Sequence, residues 1–166
     1  MSDQVNENKL SQLNQYLSFE LRNQIYAVPI ENVIEINQVA EITPVPEAPH
    51  YINGVLNLRG KIIPIVDLGC KFGFSDAEFT NRSCIIVLET VNGMMGTIVD
   101  SVRDVIDIAT DSIEDSSNFS SEIAKEYVAG LAKLEDMVCI LLNLAKVLDK
   151  GELSVGGSQQ TAEQAS

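Results

Sequence analysis

The side chains able to do chemistry are few and scattered. The one histidine, His50, closes a stretch from Gln38 that also carries Pro44, Pro46 and Pro49. No serine or cysteine nucleophile stands beside it, and a general base needs its partner within hydrogen-bond reach, so His50 reads as a solvated loop residue. Cys70, Cys84 and Cys139 sit among apolar neighbours at wide, irregular spacing that matches neither a zinc nor a redox motif. They read as buried thiols of a reducing compartment. Gly93 and Gly96 in NGMMG form no phosphate-cradling loop, and the acids are dispersed where metal ligation needs a cluster. Asp67 ends a strand-like run, yet the internal repeat puts Asn143 at the same place. Asparagine caps a helix as well as aspartate does but cannot ionise, so capping accounts for both. No catalytic residue, cofactor or metal is expected. What remains is Arg59-Gly60-Lys61, a basic turn in an acidic chain, which suggests a contact point.

The elements that carry these residues are duplicated. Tyr16 to Val33 aligns without a gap on Ile85 to Val102, matching Glu20 with Glu89, Asn23 with Asn92 and Val33 with Val102. Tyr51 to Leu68 aligns on Tyr127 to Leu144, where Tyr51, Gly54, Leu58 and Leu68 meet identical partners. The order is A, B, A′, B′. Two units are too few for a solenoid, and a pair of similar small barrels fits better.

In unit A, Tyr16, Ser18 and Glu20 alternate with Leu17, Phe19 and Leu21, and Ile25 to Ile30 alternates again, which predicts a hairpin. Asn92-Gly93 is expected to supply the positive φ angles of the corresponding turn in A′. A single helical turn is expected at Glu31-Asn32-Val33 and at Asp100-Ser101-Val102, followed by strands at Val33 to Ile36 and Val105 to Ile108. Unit B predicts a hairpin of Tyr51 to Leu58 and Lys61 to Val66 around Arg59-Gly60, repeated around Glu135-Asp136. Each copy then closes with a short helix capped by Asp67 or Asn143. Gln38 to His50 is expected to be extended and irregular, and Asp111 to Glu126 a Ser-rich acidic link. Residues 1–14 read as flexible and 151–166 as a disordered tail. Residues 15–150 hold the two barrels, divided at about 15–80 and 81–150 with strands free to exchange.

A chain of 166 residues that is 45% apolar can bury a proper core. Its net charge of −13 repels phosphate backbones and anionic membrane surfaces, which disfavours nucleic acid as a partner. The opening MSDQVNENKLSQLN has neither a basic start nor an apolar stretch, and the run Val138 to Leu142 is too short to span a bilayer. A cytoplasmic location without membrane insertion is expected.

Five segments together resemble the CheW family of chemotaxis coupling proteins. They are YAVPIENVIEI from Tyr26, APHYING from Ala48, GVLNLRGKIIPIVDL from Gly54, GTIVDSVRDVIDI from Gly96 and YVAGLAKLEDMVCILLNLAKVL from Tyr127. The resemblance covers Gln15 to Lys150. It implies an all-β fold with short helices, built as two SH3-like five-stranded β-barrels around a shared core. It also implies a non-enzymatic adaptor, recruited to receptor arrays, that links the cytoplasmic hairpin of chemoreceptors to the histidine kinase CheA. The kinase's regulatory domain, itself CheW-like, would dock barrel to barrel.

By motif position the implied receptor contacts are Val33, Glu35, Arg59, Ile85, Val99 and Val102. The implied kinase contacts are Leu17, Ile30, Ile42 and Val45, on exposed edges of the first barrel. Gly54 and Gly96 match glycines the family needs, read physically as close-packing or bulge positions. Two positions depart from the family pattern, Asn143 for an acid and Gly69-Cys70 for a more basic pair. The alternatives are a CheW-like adaptor of a parallel, non-chemotaxis pathway and a small β-barrel ligand-binding protein. The latter needs a concave site with convergent polar groups.

Overall fold

Strands buried on both faces read as nearly unbroken apolar runs, and four such runs build the centre of this molecule. The computed structural model describes residues 13–39, 42–47, 51–73, 79–115, 126–135 and 137–147. Expectations for residues 1–12, His50, residues 116–125 and the 151–166 tail lie outside the described residues. The strands are β1 (Leu13–Leu21), β2 (Gln24–Pro29), β3 (Val33–Gln38), β4 (Ile52–Leu58), β5 (Lys61–Val66), β6 (Cys84–Thr90), β7 (Gly93–Val99), β8 (Ser101–Ala109), β9 (Ile113–Glu114), β10 (Val128–Leu134) and β11 (Met137–Leu142). Two short helices, α1 (Leu68–Lys71) and α2 (Leu144–Val147), and 3-10 turns at Ile30–Asn32 and Thr110–Ser112 complete the described elements.

The strands form two sheets, ordered β8-β1-β2-β11-β10-β9 (barrel I) and β3-β6-β7-β5-β4 (barrel II). The hairpins of A and B′ therefore pair with each other, and those of A′ with B. The third strand of each A unit crosses to the opposite barrel: β3 pairs with β6 and β8 with β1. Across a boundary near residue 80, hairpins β1-β2 and β6-β7 are thus exchanged, each lying in the barrel of the other half. Pairing repeats in both barrels. Val102 faces Phe19 as Val33 faces Leu88, and parallel pairs join Leu141 to Ala27 and Ile65 to Gly96. Each barrel has five main strands. Barrel I gains the short β9, and the matching position in barrel II is the single bridge between Thr43 and Val55.

Period-two alternation sends each central strand's side chains to two different cores. In β6, Ile85 and Val87 fill barrel II while Ile86 and Leu88 enter a cluster shared by both barrels; in β2, Ile25 and Ala27 fill barrel I while Tyr26 and Val28 join the shared cluster. Phe19, Leu21, Met95, Val99, Ile140 and Leu142 belong to the same shared cluster, so neither barrel is complete without the other.

Local chemistry explains the ends of the elements. Asp67 Oδ1 accepts from the Cys70 amide at 3.1 Å and so caps α1. Asn143 holds the equivalent place, its carbonyl accepting from Lys146 and Val147 at the start of α2. Of the three cysteines expected to be buried, Cys139 is, but Cys70 and Cys84 are only half-buried. Two expectations of local geometry also differ from the structure. Only the first predicted helical turn exists. At the second, the Asp100 amide donates to the Glu20 carbonyl and its carboxylate accepts from the Arg22 amide at 2.7 Å; that anchorage sends the chain straight into β8. The second difference concerns Asn92-Gly93. Positive φ falls on Gly93 (126°) and not on Asn92, because the turn itself is Val91-Asn92, braced by Thr90 Oγ1 accepting from the Asn92 amide.

Thr97 is a polar residue in the shared core. It lies on the Met95–Val99 face of β7, 1% exposed, its hydroxyl unpartnered among the described residues, and its repeat mate is Val28. A buried hydroxyl without a hydrogen bond costs free energy. Thr97→Val is expected to raise stability by about 1 kcal/mol. The measurement is the urea midpoint at unchanged slope, and a lower midpoint would show that the hydroxyl is used.

Burial pushes the Cys139 thiol from 9.0 up to about 11 and the Tyr26 phenol from 10.0 up to about 12. Both groups ionise first in the unfolded chain. The stability that follows from keeping them neutral is full below about pH 9 and is lost as the pH rises through 11 and 12. Cys139→Ala is expected to remove the earlier part of this alkaline loss. Titration of the unfolding free energy from pH 8 to 11 checks it, and curves of equal steepness would rule it out.

Candidate docking groove

Val33 and Val102 stand where the chain crosses between barrels, and their side chains, half-buried, pack on the shared cluster from its two sides. Two residues beyond Val33, on the opposite face of β3, Glu35 meets Arg59 from the β4–β5 turn; Arg59 Nη2 lies 3.1 Å from Glu35 Oε1. Strands β3 and β4 are the two edges of the barrel II sheet. The ion pair therefore spans the seam where that sheet curls on itself.

A groove of about 520 Å³ opens along this seam, lined by Glu35, Asn37, Asn57 and Arg59 over Leu56 and Leu58. The turn is held by its own backbone, with Arg59 at φ 51° and Gly60 donating its amide to Asn57 Oδ1 at 2.8 Å. With Arg59 side chain 78% exposed, the pair contributes little stability. Its consequence is positional: it presents a cation and an anion side by side at the rim.

The other residues implied by the resemblance divide by burial. Ile85 lies inside barrel II and Val99 inside the shared cluster, both 0% exposed, and Leu17 is buried in the shared cluster. These three are interior and offer no side-chain surface, where contact positions were expected. The reason is that apolar alternation is the same for an inner face and for a docking face. Ile30 is half-buried and lines a second groove of about 430 Å³ with Asn14, Tyr16, Pro29 and Glu31. Ile42 and Val45 are half-buried in the segment that meets β4, so they belong to barrel II, and Ile30 and Leu17 lie on barrel I. One edge of one barrel does not carry all four.

Gly54 sits at a bulge of β4, and an added Cβ would lie 2.3 Å from the Thr43 carbonyl oxygen. At Gly96 it would meet Ile65 and Ile85 side chains at 2.6 and 2.9 Å. Sequence reasoning missed Ile36 and Val105, repeat mates that stand 46% and 51% exposed on the edge strands β3 and β8. They follow Val33 and Val102 by the same three-residue step, which was the available signal.

The model of the CheW-like domain matches residues 15–152. The chain belongs to this family. The CheW-like chain is 33% identical over 141 residues to chemotaxis protein CheW of Klebsiella aerogenes, with 85% of each protein covered. It is 36% identical over 134 residues to CheW of Thermotoga maritima, covering 81% of this chain and 87% of that one. Chemotaxis protein CheV3 of Helicobacter pylori matches at 34% over 161 residues, but the CheW-like chain spans only 51% of it. In structure it resembles the scaffolding protein TtCheW from Thermoanaerobacter tengcongensis, with a TM-score of 0.76 at 34% identity over 84% of this chain and 94% of that one. The CheW-like chain is a non-enzymatic chemotaxis scaffold, and its family works by contact with chemoreceptors and with CheA.

Proposed function

We propose that this chain couples the cytoplasmic tips of chemoreceptors to the regulatory domain of CheA through two separate surfaces, and that it does so in the cytoplasm at receptor arrays. The receptor surface joins Val33 and Val102, which pack on the cluster shared by the barrels, to the barrel II groove rimmed by Glu35 and Arg59. Val33 and Val102 supply the apolar floor for one face of a helical hairpin, as helix-in-groove recognition requires. Glu35 and Arg59 fix its register at the rim, where charges give specificity and association rate more than affinity. Ile85 and Val99 hold that floor from below. The kinase surface is made by Ile30 on barrel I and by Ile42 and Val45 on barrel II, with Leu17 beneath.

The observation that carries the reading is the meeting of Glu35 and Arg59 at 3.1 Å, which gathers residues far apart in the chain onto one rim. Arg59→Glu is expected to weaken capture of a receptor cytoplasmic fragment about tenfold. Capture of the CheA regulatory domain should stay within about twofold and the thermal midpoint within a few degrees, because the side chain is exposed on a turn. Undiminished receptor capture by the folded variant would refute the assignment of the groove.

A further inference from the structure

Helix α1 ends on Lys71, and the repeat mate of Lys71 is Val147, the last residue of α2. The Lys71 ammonium donates to the Val147 carbonyl oxygen. It also lies 5.4 Å from the centroid of the Tyr51 ring and 5.7 Å from that of Tyr127, within the range at which a cation is drawn to an aromatic face. Tyr51 and Tyr127 are repeat mates too, so the duplication brings two equivalent rings together and a single cation fills the space between them. A helix C-terminus, where the carbonyls point outward unpaired, favours that positive charge.

Phe72 continues the same contact, its ring centroid 5.7 Å from Tyr26 and 5.4 Å from Tyr127. Lys71 and Phe72 follow β5 of barrel II, whereas Tyr26, Tyr127 and Val147 belong to or flank β2, β10 and β11 of barrel I. Of the four paired helix positions only Leu68 and Leu144 are identical, and at the last pair one copy carries a cation and the other a fully buried valine. Tyr51, Phe72 and Tyr127 pack on the shared cluster that also supports Val33 and Val102.

We infer that Lys71 is a positioning residue, a latch whose ammonium, held by Tyr51, Tyr127 and the Val147 carbonyl, sets the angle between the barrels and thereby the spacing of Val33 and Val102 on the shared cluster. The inference rests on the receptor reading of Val33 and Val102. Spin labels at Ile62→Cys and Val138→Cys, exposed repeat mates on barrels II and I, read the inter-barrel distance in a chain whose Cys70 and Cys84 are replaced by serine. Lys71→Met is expected to broaden the distance distribution and to weaken capture of the receptor fragment about tenfold; Lys71→Arg, which keeps the cation, is expected to restore both. If Lys71→Met does not fold, Tyr51→Leu takes its place under the same criteria.

An unchanged distance distribution in the folded variant overturns the latch. So does a broadened distribution with unchanged receptor capture. Failure of the unaltered chain to capture the fragment at all overturns the functional reading, and the distance measurement separates that result from failure of the latch.

Discussion

Gly54→Ala is expected to destabilise the fold by about 4 kcal/mol, the sum of backbone strain and overpacking at one buried site. Gly54 adopts φ +153°, which L side chains rarely take, and a Cβ there would lie 2.3 Å from the Thr43 carbonyl oxygen and 2.7 Å from Ile42 Cγ2. The nearest obstacle is backbone and cannot rotate away. Thr43 is also hydrogen-bonded to Val55 in both directions at 2.8 and 2.9 Å, so yielding would break the bridge that closes barrel II. Gly130, the repeat mate, provides the control. Its Cβ would meet Ile113 Cγ2 at 2.5 Å and the Glu114 carbonyl oxygen at 3.0 Å, without the strained φ, so Gly130→Ala is expected to cost about 2 kcal/mol. Denaturant unfolding of both variants measures the difference. Equal losses would mean that backbone strain at Gly54 is not the cause.

Phe19→Ala is expected to cost a similar amount, about 4 kcal/mol, and its distribution over the molecule is as informative as its size. Phe19 is 0% exposed in β1, stacked on Tyr26 at 5.9 Å and paired with Val102 of the crossing strand β8. Because Leu88, Met95 and Val99 of barrel II share its cluster, the loss should reach both barrels. Amide exchange is expected to accelerate on β6 and β7 as much as on β1 and β2, with one cooperative transition. Two transitions, or barrel II amides left fully protected, would show the barrels to be independent units.

Much of this architecture was legible before any coordinates, because the duplication let each copy check the other. The hairpins, the two short helices and the cap at Asp67 all follow from local patterns, namely alternation, turn residues and a cap position, and those patterns appear twice. That strands could exchange was legible, but not that β3 and β8 leave their own hairpins. Val33–Gln38 alternates identically whether it pairs with its own hairpin or with β6, and the choice depends on the shared cluster, which no local window contains. For the same reason Ile85, Val99 and Leu17 read as available apolar positions and proved to be interior. The Glu35–Arg59 pair required knowing that the two edges of one sheet meet. Repetition flagged Tyr51 and Tyr127, but the cation between them comes from a position where the copies differ, Lys71 against Val147.

The most direct test of the two-surface account is an amide chemical-shift map of this chain titrated with a receptor cytoplasmic fragment, then with the CheA regulatory domain. The account predicts that the receptor moves Val33, Glu35, Arg59 and Val102, and that the kinase moves Ile30, Ile42 and Val45, with little overlap. Receptor-induced shifts gathered at Ile30, Ile42 and Val45, with the groove residues unmoved, would contradict it.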